Sequence, residues 1–519
     1  MWRLFPKSWF RSQGRDGPEM AVAAEKFENQ WRDSLTSTMA QVMKRETVSV
    51  EEAVVLLPTL DTEILLSFDR AMRREWRSYY SEYTSRGRVP TLTQISDPME
   101  GAAFLFTAAC QGNGFIRERA ILAFGHYPGR LSLVAALIRC DDWVLAVQQA
   151  AVTLLLRLVE TNVGELLFEQ LPLLLRLQLR QRVADQLWTS HIEPVLLSPR
   201  FRDSRWHSTK LPDAAARAFA YRLVLQADPD RSEEIFRNAC ADPHPKVALW
   251  GLGNVGQVLN SGRAAEIVSR AIWHRNSAVR AAALRRYASL GSEDLREQLE
   301  QSIFDSSRAP RDAAAHLLES LFHSSALERW RQVIHAGASK QLTVVVTAMS
   351  YVAEFEDVQR LEPFLDDPIA RTRTAALRGL VRAKARKCDE YFMRALRDQS
   401  GLVVRRALSL LAKEGQLLGC AELQQAYASA QSERVRRQLI RAARLMGKWD
   451  ALVFLLPLLS TSDALVAHEE IDRWLQTTNR RFAALDPEIR AIITKQLNQI
   501  SQSTDARQRL QIAEIMRHS

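Results

Sequence analysis

The chain has 519 residues, 47% hydrophobic and 25% charged, with a formal net charge of +10. That composition excludes a disordered chain, and the length excludes a single ordinary hydrophobic core. With 20 glycines, 18 prolines and five scattered cysteines, it also excludes a turn-rich all-β fold and a disulfide framework.

Residues 1–20 read as an irregular segment. Trp2, Leu4, Phe5, Trp9 and Phe10 lie among Arg3 and Lys7, without the apolar core and cleavage site of a signal peptide. This segment is either a frayed or self-packed terminus, or a weak interfacial anchor at a membrane surface or a docking peptide. Residues 21–97 read as a helical cap. Asp61 is suited to N-cap a helix whose apolar stripe is Leu65, Phe68, Met72, Trp76, Tyr79 and Tyr83, spaced by three and four residues. The stripe is expected to pack on the first repeat of the array beyond it, the alternative being an aromatic partner-binding face. Residues 87–98 close the cap as a linker.

Residues 98–480 are repetitive. An apolar residue, usually followed by a basic one, precedes small or apolar residues four and five positions on. The phrase begins at Val247, Val279, Pro310, Leu342, Thr372, Val404, Val435 and Val466, at steps of 30 to 32 residues. Ile116, Val147 and Ala216 keep the same frame. Val183 fits it loosely, 36 residues after Val147, which implies an insertion. About five residues before many anchors stand turn and N-cap types: Asp141-Asp142, Asp242-Pro243, Asp305-Ser306, Asp366-Asp367-Pro368 and Asp398-Gln399-Ser400. Each unit therefore reads as helix, tight turn, helix. One such pair cannot bury its own apolar faces, so neighbours must stack. The fold expected is an all-α solenoid of stacked antiparallel helix pairs, about eleven or twelve in number.

The phrase Asp-x-x-x-x-Val-Arg-x-x-Ala-Ala/Leu resembles the HEAT repeat of the armadillo-like helical family. The short period resembles the bacterial subtype also found in phycobilin lyases. The resemblance implies a right-handed superhelix whose second helices line the concave face. It also implies that Arg280, Arg373, Arg405 and Arg436, directly after their anchors, pair with a turn aspartate of a neighbouring unit.

Within the array, residues 198–210 read as a basic, aromatic loop with Arg200, Arg202, Arg205, Trp206, His207 and Lys210. Arg205 and Trp206 are its candidate contacts, against a merely solvated loop. Gly251, Gly253 and Gly256 match GxGxxG, but no strand precedes them and Gly251 holds the slot of Ala283 and Ala376. Helix packing is the expectation there, not a nucleotide site. The apolar run 451–459 contains Pro457 and is half the ~18 residues a membrane span needs. Residues 481–519 read as a C-terminal helical cap.

Charge is the most informative functional feature. Residues 370–450 hold 18 Lys and Arg against seven Asp and Glu, so the remainder of the chain is close to neutral. Arg434, Arg437, Arg441, Arg444 and Lys448 are spaced by three and four, as on one stripe of a single helix. Arg371, Arg378, Arg382 and Arg386 form a partial stripe, and Arg378 and Arg441 share the slot six after their anchors. Equal slots align in a stacked array, which predicts a basic ridge with Arg378, Arg382, Arg434, Arg437, Arg441, Arg444 and Lys448 as partner-binding residues.

Such a ridge suits an acidic protein segment or, alternatively, a nucleic-acid backbone. Four aromatic residues in the window are few for base stacking: Tyr391, Phe392, Tyr427 and Trp449. No HExxH, GxSxG or P-loop motif occurs, so no catalytic residue, metal ligand or cofactor is expected. The function expected is a non-catalytic scaffold or adaptor in a cytoplasm. The 59 Arg to 11 Lys suggest a GC-rich bacterial genome. The resemblance adds two distant alternatives, a DNA-repair glycosylase and a chromophore lyase.

Overall fold

The computed structural model describes residues 18–75, 97–179, 187–337, 340–477, 483–500 and 506–519. They are helical throughout. Among them the sole β feature is one isolated bridge, between Leu418 and Met446. The chain divides into two compact units, residues 1–286 and 287–519. The boundary falls inside the helix Ser277–Leu290.

In the first unit, Pro18–Met43 packs on Thr62–Glu75, and Val50–Leu56 packs on Pro98–Ala109. Asp61 does cap, its Oδ1 accepting the Ile64 N–H at 2.9 Å. Leu65, Phe68 and Met72 are fully buried, with the Phe68 and Phe106 ring centroids 6.0 Å apart. Trp76, Tyr79, Tyr83, Val183 and the aromatic residues of the N-terminal decapeptide lie outside the described residues. From Pro98 onward the pattern is helix on next-but-one helix. Pro98–Ala109 packs on Arg130–Arg139, and Gly114–Ala123 on Leu145–Val159. Ala214–Ala227 packs on Pro245–Val258, and Ser232–Cys240 on Ser261–Ala271.

The second unit repeats this. Its second helices Leu342–Met349, Ala370–Arg382, Gly401–Glu414, Glu433–Arg441 and Ala464–Thr477 pack successively on one another. Its first helices Cys388–Leu396, Cys420–Ser429, Lys448–Leu455 and Pro487–Gln499 do the same. Each unit is thus a stretch of α-solenoid, and the helices past residue 480 continue the stacking: Ala506–Arg517 packs on Ala464–Thr477.

Every anchor among the described residues falls near the start of a second helix. Val147, Ala216, Val247, Val279, Thr372 and Val404 are fully buried there. Burying each such side chain removes apolar surface from water and stabilises by about 1.5–3 kcal/mol for a valine. The weak copy at Leu342 departs from the frame. It opens its helix and is half-buried, and Val345 and Val346 supply the buried positions.

The GxGxxG run lies wholly within the helix Pro245–Val258. A Cβ on Gly251 would stand 3.0 Å from Cys240 Sγ and 3.1 Å from Cys240 N, so glycine here lets two helices approach. Gly253 meets nothing within 4 Å. Residues 198–210 are not a loop. They form the turn Pro199–Phe201, the helix Arg202–His207 and the turn Ser208–Lys210, anchored by buried Phe201 against Phe168.

Candidate basic interaction surface

The arginine after the anchor makes one recurring construction. In the first unit Arg117 grips Asp142 through Nε (2.9 Å) and Nη2 (2.8 Å). Arg217 grips Asp242 at 2.8 and 2.9 Å. In the second unit Arg373 grips Asp398 at 2.7 and 2.8 Å, and Arg436 Nε meets Asp463 at 2.8 Å. The remaining nitrogen turns back to the arginine's own turn. Nη1 of Arg117 donates to Gln111 O and Gly112 O, that of Arg217 to Leu211 O and Pro212 O, and that of Arg373 to Asp367 O and Pro368 O. The aspartate also starts its own helix, since Asp142, Asp242 and Asp398 accept the N–H two residues on at 3.0, 2.7 and 2.7 Å.

One planar guanidinium thus ties two consecutive turns together, a task the fork of arginine fits and a lysine ammonium does not. Burial acts to raise the Asp242 carboxyl, but the Arg217 guanidinium and the His244 N–H outweigh it and hold it below the usual range. Arg331 and Asp357 form the same paired grip from a first helix, at 2.8 and 3.1 Å.

Arg373 and Arg436 therefore pair as the resemblance implied. Arg405 does not join the ladder: it is exposed, and among the described residues no carboxylate pairs with it. Arg280 donates to His274 O and Arg275 O, as the others do to their own turns. Arg205 is a further rung rather than the loop contact its sequence surroundings suggest. It is 1% exposed, and holds Asp228 at 2.9 Å and the carbonyls of Leu196 and Ser198. A side chain so enclosed cannot present itself to a partner. Trp206 is half-buried under Arg231, whose guanidinium carbon lies 5.0 Å from its ring centroid.

The stripe from Arg434 to Lys448 does not lie on one helix. Glu433–Arg441 ends at Arg441, and Arg444 sits in the tight turn Ala442–Leu445. Met446 is extended, with the Leu418 N–H bonding to Leu445 O at 2.9 Å, and Lys448 opens the next helix, Lys448–Leu455. Ala442 and Ala443 are buried in this turn, and Gly447 precedes the next helix. Nor do equal slots make a continuous ridge. Between Arg378 and Arg441 the same slot on Gly401–Glu414 is Leu410, which is buried.

The seven cations of the expected ridge fall into two groups. Arg444 holds buried Glu470 through Nε and Nη2, the Nε contact being 2.7 Å. Arg437 pairs with Glu433 along its own helix. Arg378 is half-buried, with Nε on Ser350 Oγ at 3.0 Å and Nη1 on the Tyr351 hydroxyl at 2.8 Å. Its guanidinium carbon lies 3.7 Å from the Tyr351 ring centroid, and burial lowers its pKa. Lys448 lies 4.4 Å from the Trp449 ring centroid, and burial lowers its pKa too. Arg382, Arg434 and Arg441 are exposed, and among the described residues no carboxylate pairs with them.

Tyr351 brings together residues that the sequence did not connect. Arg308 stacks on it at 4.1 Å in addition to Arg378. Nothing marks this in the sequence, because Tyr351 falls in an irregular turn after Met349 and outside any helical stripe. As for reactive groups, burial pushes the Cys140 and Cys240 thiols up to about 12, so neither forms a thiolate near neutral pH. Among the described residues no cluster of three His, Cys, Asp or Glu is placed to hold a metal ion, and no helix is long and apolar enough to cross a membrane.

No family model matches the chain, and no curated protein matches it. Among solved structures it is similar to the karyopherin Kap121p bound to the SUMO protease Ulp1p, at 13% identity and a TM-score of 0.26, over 96% of this chain and 57% of that one. It is also similar to Kap121p bound to Nup53p, at 13% identity and a TM-score of 0.25, over 94% of this chain and 56% of that one. The chain thus spans little more than half the length of these structures. At such TM-scores the likeness adds nothing to what the helix packing shows by itself.

Proposed function

We propose that this chain is a non-catalytic HEAT-type scaffold of the short-period kind, acting in the cytoplasm, which binds a protein partner through an acidic segment. The observation that carries the reading is the set of exposed guanidinium groups without a carboxylate, Arg382, Arg434 and Arg441, on second helices of one unit. The neighbouring cations Arg378, Arg437, Arg444 and Lys448 already have partners and act as a supporting positive surround. Three uncompensated cations on second helices of one unit raise the local potential, which favours encounter with an acidic chain.

The test is fluorescence anisotropy with a labelled polyglutamate peptide and, separately, a duplex DNA of equal charge. Wild type is compared with a triple variant, Arg382→Glu, Arg434→Glu and Arg441→Glu. Helical circular dichroism should be unchanged, because none of the three carries a structural contact. Peptide affinity should fall by about tenfold or more, in line with the effect of reversing charges at a complementary surface. If the peptide binds wild type and the triple variant equally, the surface is wrongly placed. If only DNA binds, and its affinity falls steeply with salt, the nucleic-acid alternative replaces the proposal.

A further inference from the structure

Tyr351 stands at the centre of a cluster of cations in the second unit. The guanidinium carbon of Arg378 lies 3.7 Å from its ring centroid and that of Arg308 lies 4.1 Å from it, so the two charges stand within about 8 Å of one another. Like charges so placed repel unless an anion lies between or beside them. Arg308 has one, the exposed Asp312 on its own helix at 2.9 Å. Arg378 has none among the described residues. Its Nε donates to Ser350 Oγ at 3.0 Å and its Nη1 to the Tyr351 hydroxyl at 2.8 Å, and both acceptors are neutral. Its Nη2 turns to the same Ser350 oxygen, so one N–H on each Nη nitrogen has no acceptor among the described residues.

Two more arginines complete the cluster. Burial lowers the Arg378 pKa, and Arg406 and Arg308 add repulsion. Burial likewise lowers the pKa of Arg311, on the same helix as Arg308, and Arg371 adds repulsion there. Neither Arg371 nor Arg406 pairs with a carboxylate among the described residues. Arg308 and Arg371 are exposed, and Arg378 and Arg406 are half-buried, so the cluster faces solvent. It draws on three second helices, Arg308–Phe322, Ala370–Arg382 and Gly401–Glu414. Arg371, Arg378 and Arg382 share one stripe of Ala370–Arg382, which makes the cluster continuous with the surface that Arg382 helps to form.

We propose that this cluster is a phosphate-binding subsite, which takes a phosphorylated side chain of the partner's acidic segment across Arg308 and Arg378, with Arg371 and Arg406 as its surround. The inference rests on the proposed binding of an acidic partner and names the group that this partner presents here. A rung carboxylate such as Asp242 is planar and is taken by a single arginine fork. Here four guanidinium groups from separate helices stand against the one carboxylate of Asp312, which suits a dianion with three oxygens set tetrahedrally. A phosphate accepting bonds of about 2.8 Å from both Arg308 and Arg378 spans the distance between them. The Ser350 and Tyr351 hydroxyls already hold Arg378 in place, so little side-chain freedom is lost on binding.

The probes are two labelled glutamate peptides that differ at one central position, phosphoserine in one and glutamate in the other, read by fluorescence anisotropy on the full chain. Wild type should bind the phosphopeptide about tenfold more tightly at about pH 7.5. That ratio should fall to about threefold or less near pH 5, where the phosphate is a monoanion and the glutamates stay charged. Arg308→Gln combined with Arg371→Gln, both at exposed positions, should bring the ratio at the higher pH close to unity. Arg378→Lys keeps the charge but loses the fork, and should lower the ratio by about threefold or more. Circular dichroism checks that each variant is folded.

If wild type binds the two peptides equally, or the double variant keeps the preference, the subsite is overturned and the acidic-partner reading stands. A preference that does not change between the two pH values also overturns the subsite, since the dianion is then not what is recognised. Binding of the phosphopeptide alone, lost in the double variant, upholds the subsite and refutes the broader reading of carboxylate recognition. Failure of wild type to bind either peptide refutes both.

Discussion

Replacing Asp242 with asparagine removes one charge and almost no volume, which makes it a clean test of what the rungs contribute. The Asp242 side chain is 4% exposed and that of Arg217 is 12% exposed, with both Arg–Asp bonds at 2.8–2.9 Å. Stripping one partner from a fully buried pair typically costs about 3–5 kcal/mol. Arg217 keeps the Leu211 and Pro212 carbonyls, and some solvent reaches it, so the expected cost is lower, about 2–3 kcal/mol. For a unit of this size that is a fall of about 3–5 °C in the melting temperature of the first unit. Urea unfolding followed by circular dichroism gives the free energy directly, and the m-value shows whether the unit still unfolds as one.

The double variant Arg217→Met with Asp242→Leu should recover much of the loss, because an apolar pair of similar volume avoids the desolvation penalty. Coupling between the two positions of at least about 1 kcal/mol is expected from residues in direct contact. An asparagine variant within about 0.5 kcal/mol of wild type, the range of inconsequential surface changes, would refute the idea that these arginines lock neighbouring repeats.

Acid should weaken both units. At Asp242, Asp357 and Asp463 burial acts to raise the carboxyl, and the guanidinium groups of Arg217, Arg331 and Arg436 outweigh it, so each folded pKa lies below its unfolded value. The stabilisation is therefore complete above the unfolded pKa of about 3.9 and is lost as pH falls through the folded one. Urea midpoints should drop below about pH 4, and Asp242→Asn should flatten that dependence in the first unit. The two glycines of Pro245–Val258 should respond oppositely to alanine. Gly253→Ala meets open space and should stabilise by about 0.5–1 kcal/mol through lost backbone freedom, whereas Gly251→Ala forces Cys240 aside and should destabilise by about 1–3 kcal/mol. Equal effects at the two sites in urea unfolding would contradict the close helix approach.

What the sequence showed and what it hid divide along one line. Periodic features were legible, because burial of Val247, Val279 or Val404 and the turn aspartates recur wherever a helix pair must meet the next. The role of Gly251 followed from its sharing a slot with Ala283 and Ala376. Features that depend on a helix ending were not legible. The spacing from Arg434 to Lys448 is helical to the eye, yet Met446 turns extended and Leu418 bridges to it from a distant segment. Residues 198–210 lack an anchor phrase, so their helical turns and the Arg205–Asp228 pair were hidden, although Asp228-Pro229 resembles the other turn signals. The division at residue 286 left no trace, since the period runs through it.

The same division changes the meaning of the net charge. A surplus of arginine over carboxylate in residues 370–450 suggests a cationic face, but much of it is spent inside the fold. Arg373 and Arg436 tie turns, Arg444 neutralises buried Glu470, and Arg378 is bound up with Ser350 and Tyr351. A lysine in these places would lose the two-pronged grip, which gives a structural reason for arginine at the rungs, independent of genome composition. Charge counted along a repeat sequence therefore overstates the charge available for binding. On the proposed reading, what a partner meets is the exposed fraction without carboxylates, Arg382, Arg434 and Arg441 among them.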